Sequence, residues 1–546
     1  MAGGPSPNHQ ATRSEIIDLA AMEGHDADIP TNVGSIHQAK SDISSQPRTP
    51  TSDENNVSAS LEKDLEKGTD AVSTTSATHP EEPPNPNIVD FDGPDDTENP
   101  MNWRASKKWG MISLVSVITF LTPLASSMFA PGVPEVMREF NSTSDMLEGF
   151  MLSVYVLGFA FGPLIVAPLS EMYGRLPMYH SCNLLFIIFT IAAAVSTSMS
   201  QFVVFRFFMG SFGGAPLVLG GGTIADLIHR EQRGTAMAVW VMGPTIGPCV
   251  GPIIGGFLTT AKGWRWNFWF VAIVASATFI MSLILMRETS GTIILERRAK
   301  RLRAETGNDK LVSKLHSGLT PSELFRFSIV RPVKMFFRSQ ICFFISLYIA
   351  ITYSYLYILF TTFTAVFTNT YGWKGGVVGL SFTGLGIGSL IGQLVCTYYG
   401  NKTAAKHIAL GDFKPEHRLY NMAIGGFFMP VGFFIYGWTV QVHTHFMAPI
   451  IATGIIGFSL LMTFMPATTY LVDVFTIHAA SAMAASTVSR SLCAALIPLS
   501  SQQMYAKLGY GWGNTLLGIV ACLLIPIPFL FIKYGERVRN RSTVKL

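Results

Sequence analysis

Polar and apolar residues divide this chain into two unequal parts. Residues 1 to about 100 are rich in Ser, Thr, Asp, Glu and Pro, with no apolar run before Trp109. Too little apolar surface is available there to offset the entropy of ordering, so a disordered, acidic, cytosolic tail is expected over 1–100. From Trp109 onward, apolar runs of about 20 residues recur, each long enough to cross hydrocarbon as a helix. They predict helices near 109–130, 147–170, 179–198, 202–225, 234–258 and 266–286, then near 339–367, 375–399, 419–439, 447–472, 480–503 and 512–533. The longest interruption lies between the sixth and seventh. The expected fold is an all-α membrane protein of twelve transmembrane helices in two six-helix bundles, 101–287 and 339–534. A basic cytosolic central loop, 288–338, joins them, and a basic tail, 535–546, follows.

Composition supports immersion in lipid. Of 546 residues, 49% are hydrophobic and 14% charged, against about a quarter charged in soluble domains. The formal net charge of +4 conceals a division, because residues 1–100 hold 19 Asp/Glu and 5 Lys/Arg and the remainder is basic. No basic stripe is free of the membrane segments it flanks, which argues against nucleic acid as a partner. Counted on alternate sides of the predicted helices, 27 basic residues fall on the side of the termini and 5 on the other. That asymmetry predicts both termini in the cytosol. No signal-peptide pattern is visible, so the first helix is expected to direct insertion. The six cysteines lie in apolar segments with no C-x-x-C pair, which disfavours disulfides and metal sites. Asn141-Ser142-Thr143 is a glycosylation sequon in the first predicted outer loop, with a chance match equally open.

Helix 5 carries the most specific pattern. Gly243-Pro244, Gly247-Pro248 and Gly251-Pro252 repeat every four residues and end in Gly255-Gly256. Spacing of four places the glycines on one face, open to close helix approach, and each proline removes a backbone hydrogen bond. Tight packing alone is the plainer account, as it is for Gly384, Gly388 and Gly392. The run resembles the antiporter motif of the major facilitator superfamily, which implies export in exchange for protons and the pseudo-symmetric two-bundle fold. The loop from Pro168 to Pro177 is similar to that superfamily's cytoplasmic loop motif, with Glu171 at the acidic position and Gly174-Arg175 at the turn. Ala167 and Leu176 depart from it. Physically, Glu171 is expected to face a helix N-terminus in the other half and Arg175 to pair with Asp226. Such contacts would hold an outward-open state and break on inward opening.

Arg206 lies in an apolar stretch where an unpaired arginine is costly, so it is expected to face the central cavity. The resemblance also places an arginine here, although Met209 replaces its usual glutamine. Arg490 in helix 11 is given a comparable part, with snorkelling as the alternative for both. Further segments, Asn99 to Trp103, Phe129 to Val133 and Pro415 to Leu419, look like the fungal twelve-spanner drug:proton antiporters, and the likeness covers about 98–535. Tyr353, Tyr357, Phe360 and Thr364 recur at helical spacing in helix 7 and line either the cavity or a packing face.

No carboxylate or histidine sits at mid-depth, so a proton as coupling ion rests on the resemblance, with Asp226, Asp473 and then Glu135 as candidate carriers. A P-loop is absent, since Gly400-Asn401-Lys402-Thr403 lacks the glycine required before lysine. A receptor would not need Arg206, and no acid, base or metal set suggests an enzyme or a cofactor. The expected function is export of small lipophilic or amphipathic compounds (drugs, toxins or a metabolite) by a monomer in the plasma or vacuolar membrane. Import or facilitated passage of a small metabolite or polyamine on the same fold is the alternative. A nearly acid-free core tilts the substrate toward neutral or weakly basic compounds.

Overall fold

The computed structural model describes residues 87–93, 95–229, 233–315, 321–475 and 478–541. Most of the expected tail, residues 1–86, lies outside them. Among the described residues, eleven helical stretches are long and apolar enough to cross a membrane. The last, Ala479–Asn540, has 62 residues, roughly 90 Å if straight and about three times the hydrocarbon thickness. It breaks at Gly509, whose φ of 70° and ψ of 175° are not helical. The segment before the break runs beside the seventh span (Gln340–Tyr371), with Thr361 bonded to Ser501. The segment after it runs back along the ninth (Leu419–Gln441), placing Asn514 on Gly437, then Gly518 on Phe434 and Phe529 on Phe427. These are the eleventh and twelfth crossings, so the path enters and leaves the bilayer on one face, here termed the terminal face.

The two sets of six spans share one core toward the far face. Leu124, Phe129, Tyr155 and Phe202 of the first set pack in the same cluster as Tyr357, Phe363, Phe382 and Tyr436 of the second. Toward the terminal face the cores separate. Leu114, Ile118, Tyr179 and Leu219 cluster within the first set, and Ile345, Tyr348, Tyr470 and Leu471 within the second. Apolar burial therefore joins the bundles at one end and leaves each to its own core at the other.

Residues 87–99 correct the expectation of a featureless tail up to residue 100. Ile88–Val89 pairs in parallel with Val312–Ser313, and Lys314 bonds Asp90 at 2.6 Å. Arg298, on the helix Gly291–Thr306, bonds Asp96 at 2.7 Å and also pairs with Asp92 and Glu98. The acidic segment thus folds by charge pairing onto the basic central loop. That loop is itself largely helical, over Gly291–Thr306 and Pro321–Arg338. The C-terminal tail expected from 535 instead continues the helix Pro526–Arg541.

Candidate functional site: the seam between the bundles

The fifth span, Arg233–Lys262, remains one helix through Pro244, Pro248 and Pro252. Its glycine face lies on the first span, Ala105–Ser127. A methyl group at Gly243 would sit 3.1 Å from Ser116 O, one at Gly247 3.0 Å from Phe120 O, and one at Gly255 only 1.8 Å from Met128 O. At Gly251 it would meet the Ser127 hydroxyl at 2.4 Å. An adjacent face meets the other bundle: Gly256 faces Gly376, and a methyl at Gly379 would lie 2.4 Å from Pro252 O. Gly386 abuts Cys249. Any side chain on this ladder would force backbones apart, so the fifth span is wedged between its own bundle and the eighth span.

Gly174 occupies the turn between the second span, Asp145–Tyr173, and the third, Arg175–Ala194, with φ +103°. Arg175 Nε meets Asp226 at 3.4 Å, as expected from sequence, and its Nη1 donates to Ser170 Oγ at 2.8 Å. Sequence reasoning passed over Glu288, just beyond the sixth span. Its buried carboxylate accepts the Arg175 and Leu176 N–H groups at 3.0 and 3.2 Å, and those of Thr289 and Ser290. A carboxylate on two free N–H groups at a helix start is favourable through both hydrogen bonding and the helix dipole. It lies 112 residues from Leu176 in sequence, so only the fold reveals it.

Glu171 is exposed and lines a cavity of about 620 Å³ with Arg175, Asp226, Ser290 and Asp90. The Arg175–Asp226 pair lies wholly within the first bundle and is intact while the far face is packed shut.

Arg206 does not face a cavity. It is 0% exposed and donates to Met151 O, Ala125 O and Ser126 O at 3.2–3.4 Å. Ala125 and Ser126 lie in the last turn of the first span, where carbonyls lack intrahelical partners and the dipole is negative. The rings of Phe129 and Tyr155 lie 5.1 Å from the guanidinium. Carbonyl dipoles and ring faces thus satisfy its charge.

The aromatic face of the seventh span divides. Tyr357 and Phe360 are buried; the Tyr357 hydroxyl shares a 3.0 Å hydrogen bond with Ser126, and Thr364 donates to Ala130 O at 3.4 Å. These residues close the far side of the seam instead of lining an open cavity. Tyr353 is partly exposed, and Arg490 lies over its ring at 4.6 Å and over Phe464 at 5.3 Å. Asp473 bonds Arg418 at 3.0 Å at the terminal face. Asp226 is likewise engaged, with Thr289 as well as Arg175. Asn141, at φ 50°, is exposed in the loop after the first span. Among the described residues no three His, Cys, Asp or Glu side chains are grouped to hold a metal ion.

Residues 115–498 match the family model of the Major Facilitator Superfamily. The chain is 51% identical to the MFS-type transporter penM of Penicillium rubens, over 90% of this chain and 97% of that one. It is 48% identical to the efflux pump radE of Floropilus chiversii, over 86% and 89%. Among solved structures, a partially occluded inward-open xylose transporter XylE from E. coli superposes with a TM-score of 0.60 at 16% identity, covering 79% of this chain and 98% of that one. At that identity the likeness is one of fold. Family match, close fungal relatives and two six-span bundles agree: the chain belongs to the major facilitator superfamily and is a multi-pass membrane transporter, not an enzyme.

Proposed function

We propose that this transporter exports small lipophilic or amphipathic compounds by alternating access, from the terminal face, taken as cytosolic, to the far face, in exchange for protons. The observation that carries this reading is the fifth-span glycine ladder, set where the span touches both its own bundle and the eighth span. A bare, close-packed strip is the kind of surface along which two bundles can rock without repacking large side chains. The separated cores at the terminal face agree with a state open to the cytosol, and a relative described as an efflux pump agrees with outward transport. The basic residues gathered at the terminal face support its cytosolic placement, with the plasma membrane as the expected site.

Expression in a yeast lacking its major pumps tests the reading. Cells carrying the chain should accumulate less of some members of a chemically varied panel, and a protonophore should abolish the difference. Unchanged accumulation across the panel overturns export, and raised accumulation indicates import instead.

A further inference from the structure

Arg490 stands apart from the ion pairs described in the second bundle. Arg418 has Asp473, Arg539 has Glu416, and Lys414 has Glu536, all at the terminal face. Arg490 lies about eleven residues into the eleventh span from Ala479, and Phe464 eleven residues from the terminal end of the tenth, Met447–Phe475. That is roughly 17 Å along each helix, deep in the bilayer. No hydrogen bond or ion pair to Arg490 exists among the described residues. Its Nε is buried without a partner, while the residue as a whole is partly exposed. Two ring faces cradle it, those of Tyr353 and Phe464, whose centroids lie 6.2 Å apart.

Arg206 shows how this protein treats a buried guanidinium that is fully paired: three carbonyls and complete occlusion. Arg490 has the aromatic cradle without the acceptors. A guanidinium at this depth with donors unfilled is expensive, and a planar fork is suited to a carboxylate, which would fill two donors at once. The site is also placed for entry. Tyr353 adjoins Tyr357, whose bond to Ser126 closes the seam on the far side, while the cores are separate toward the terminal face.

We infer that Arg490, with Tyr353 and Phe464, is the recognition site for an acidic aromatic substrate, its carboxylate or acidic enol on the guanidinium and its ring system against the two aromatic faces. This rests on the export reading above, and it replaces the expectation of neutral or weakly basic cargo with an anionic one.

The test uses the full chain in the pump-deficient yeast with matched probes: naphthaleneacetic acid against its amide, and fluorescein against tetramethylrhodamine methyl ester. The wild type should export the acidic member of a pair in preference to its partner, and R490Q should lower that preference about tenfold or more, the equivalent of losing one charge-assisted contact. R490K, which keeps charge without the fork, should retain part of it. Membrane abundance and elution profile establish that each variant is folded; should R490Q fail to accumulate, R490K and the wild-type preference decide. Export of neutral or cationic members alone, or an acid preference untouched in R490Q, overturns the acid site while leaving export standing. Export of no probe overturns the export reading, and the acid site with it.

Discussion

At the scale of single residues, the turn between the second and third spans hangs on a carboxylate supplied from far along the chain. Glu288 fills the first N–H groups of the third span, and a methyl at Gly174 would lie 2.3 Å from its Oε2, on a backbone with φ +103°. Replacing Glu288 by Gln keeps the shape but removes the charge opposite the helix dipole. We expect E288Q to cost about 1–2 kcal/mol, read as a lower melting temperature in detergent; unchanged melting would show that the cap contributes nothing. Arg206 makes a contrasting case. Its bonds to the end of the first span are structural in this arrangement, so R206M should strand two helix-end carbonyls and lower stability by about 1–3 kcal/mol even without substrate. A variant that melts like the wild type but no longer transports would return Arg206 to the substrate pathway.

At the scale of elements, the glycine ladder is the feature most directly legible in the sequence, because a repeat of four on a helix fixes a face whatever the fold. What it could not reveal was the partner: the first span on one side and residues 376–386 on the other. Gly247→Leu should leave insertion and abundance intact yet abolish transport, whereas Gly110→Leu, where a Cβ would meet nothing within 4 Å, should transport normally. Wild-type transport by G247L would sink the role given to the ladder. The apolar runs located the spans well, since hydrophobic length is a local property. Two local breaks escaped them: the 3₁₀ segment Gly375–Phe382 that opens the eighth span, and Gly214, which divides the fourth. The docked segment 87–99 was illegible for a different reason. It is held by partners some 200 residues away, through charges that read locally as disorder. Backbone N–H groups of Asp92 and Glu98, and then Arg298, hold the Asp96 carboxyl below its ordinary 3.8. A lowered carboxylate stabilises the clasp above that ordinary value and loses its effect as pH falls through the folded one. Hydrogen exchange over residues 88–98, corrected for intrinsic rates, should therefore be equally protected at pH 7 and pH 5. R298A should lose that protection at both; loosening of the wild type at pH 5 would contradict the assignment.

At the scale of the whole molecule, the distribution of charge bears on what drives transport. Asp226, Asp473 and Glu416 are paired at the terminal face and Glu139 pairs with Arg265 at the far face, while Arg490 stands deep in the second bundle without an acid of its own. A carrier of a monoanion needs no carboxylate in its core to harvest energy. A negative charge leaving a negative interior gains about 2.3 kcal/mol per 100 mV, and an inward proton in exchange would move a second charge in the same sense. Arg490 would hold the anion at mid-depth, where the bilayer otherwise opposes it most strongly. Transport of an acid should then be electrogenic, and more dependent on potential than transport of its amide. In energised inside-out vesicles, valinomycin with balanced potassium collapses the potential while leaving the pH gradient. It should slow uptake of naphthaleneacetic acid severalfold more than uptake of its amide, and nigericin, which collapses the pH gradient alone, reports the share carried by proton exchange. Equal sensitivity of acid and amide to valinomycin would mean that the acid carries no more charge across the membrane than its amide, and would exclude the membrane potential as a force on the anion's own charge.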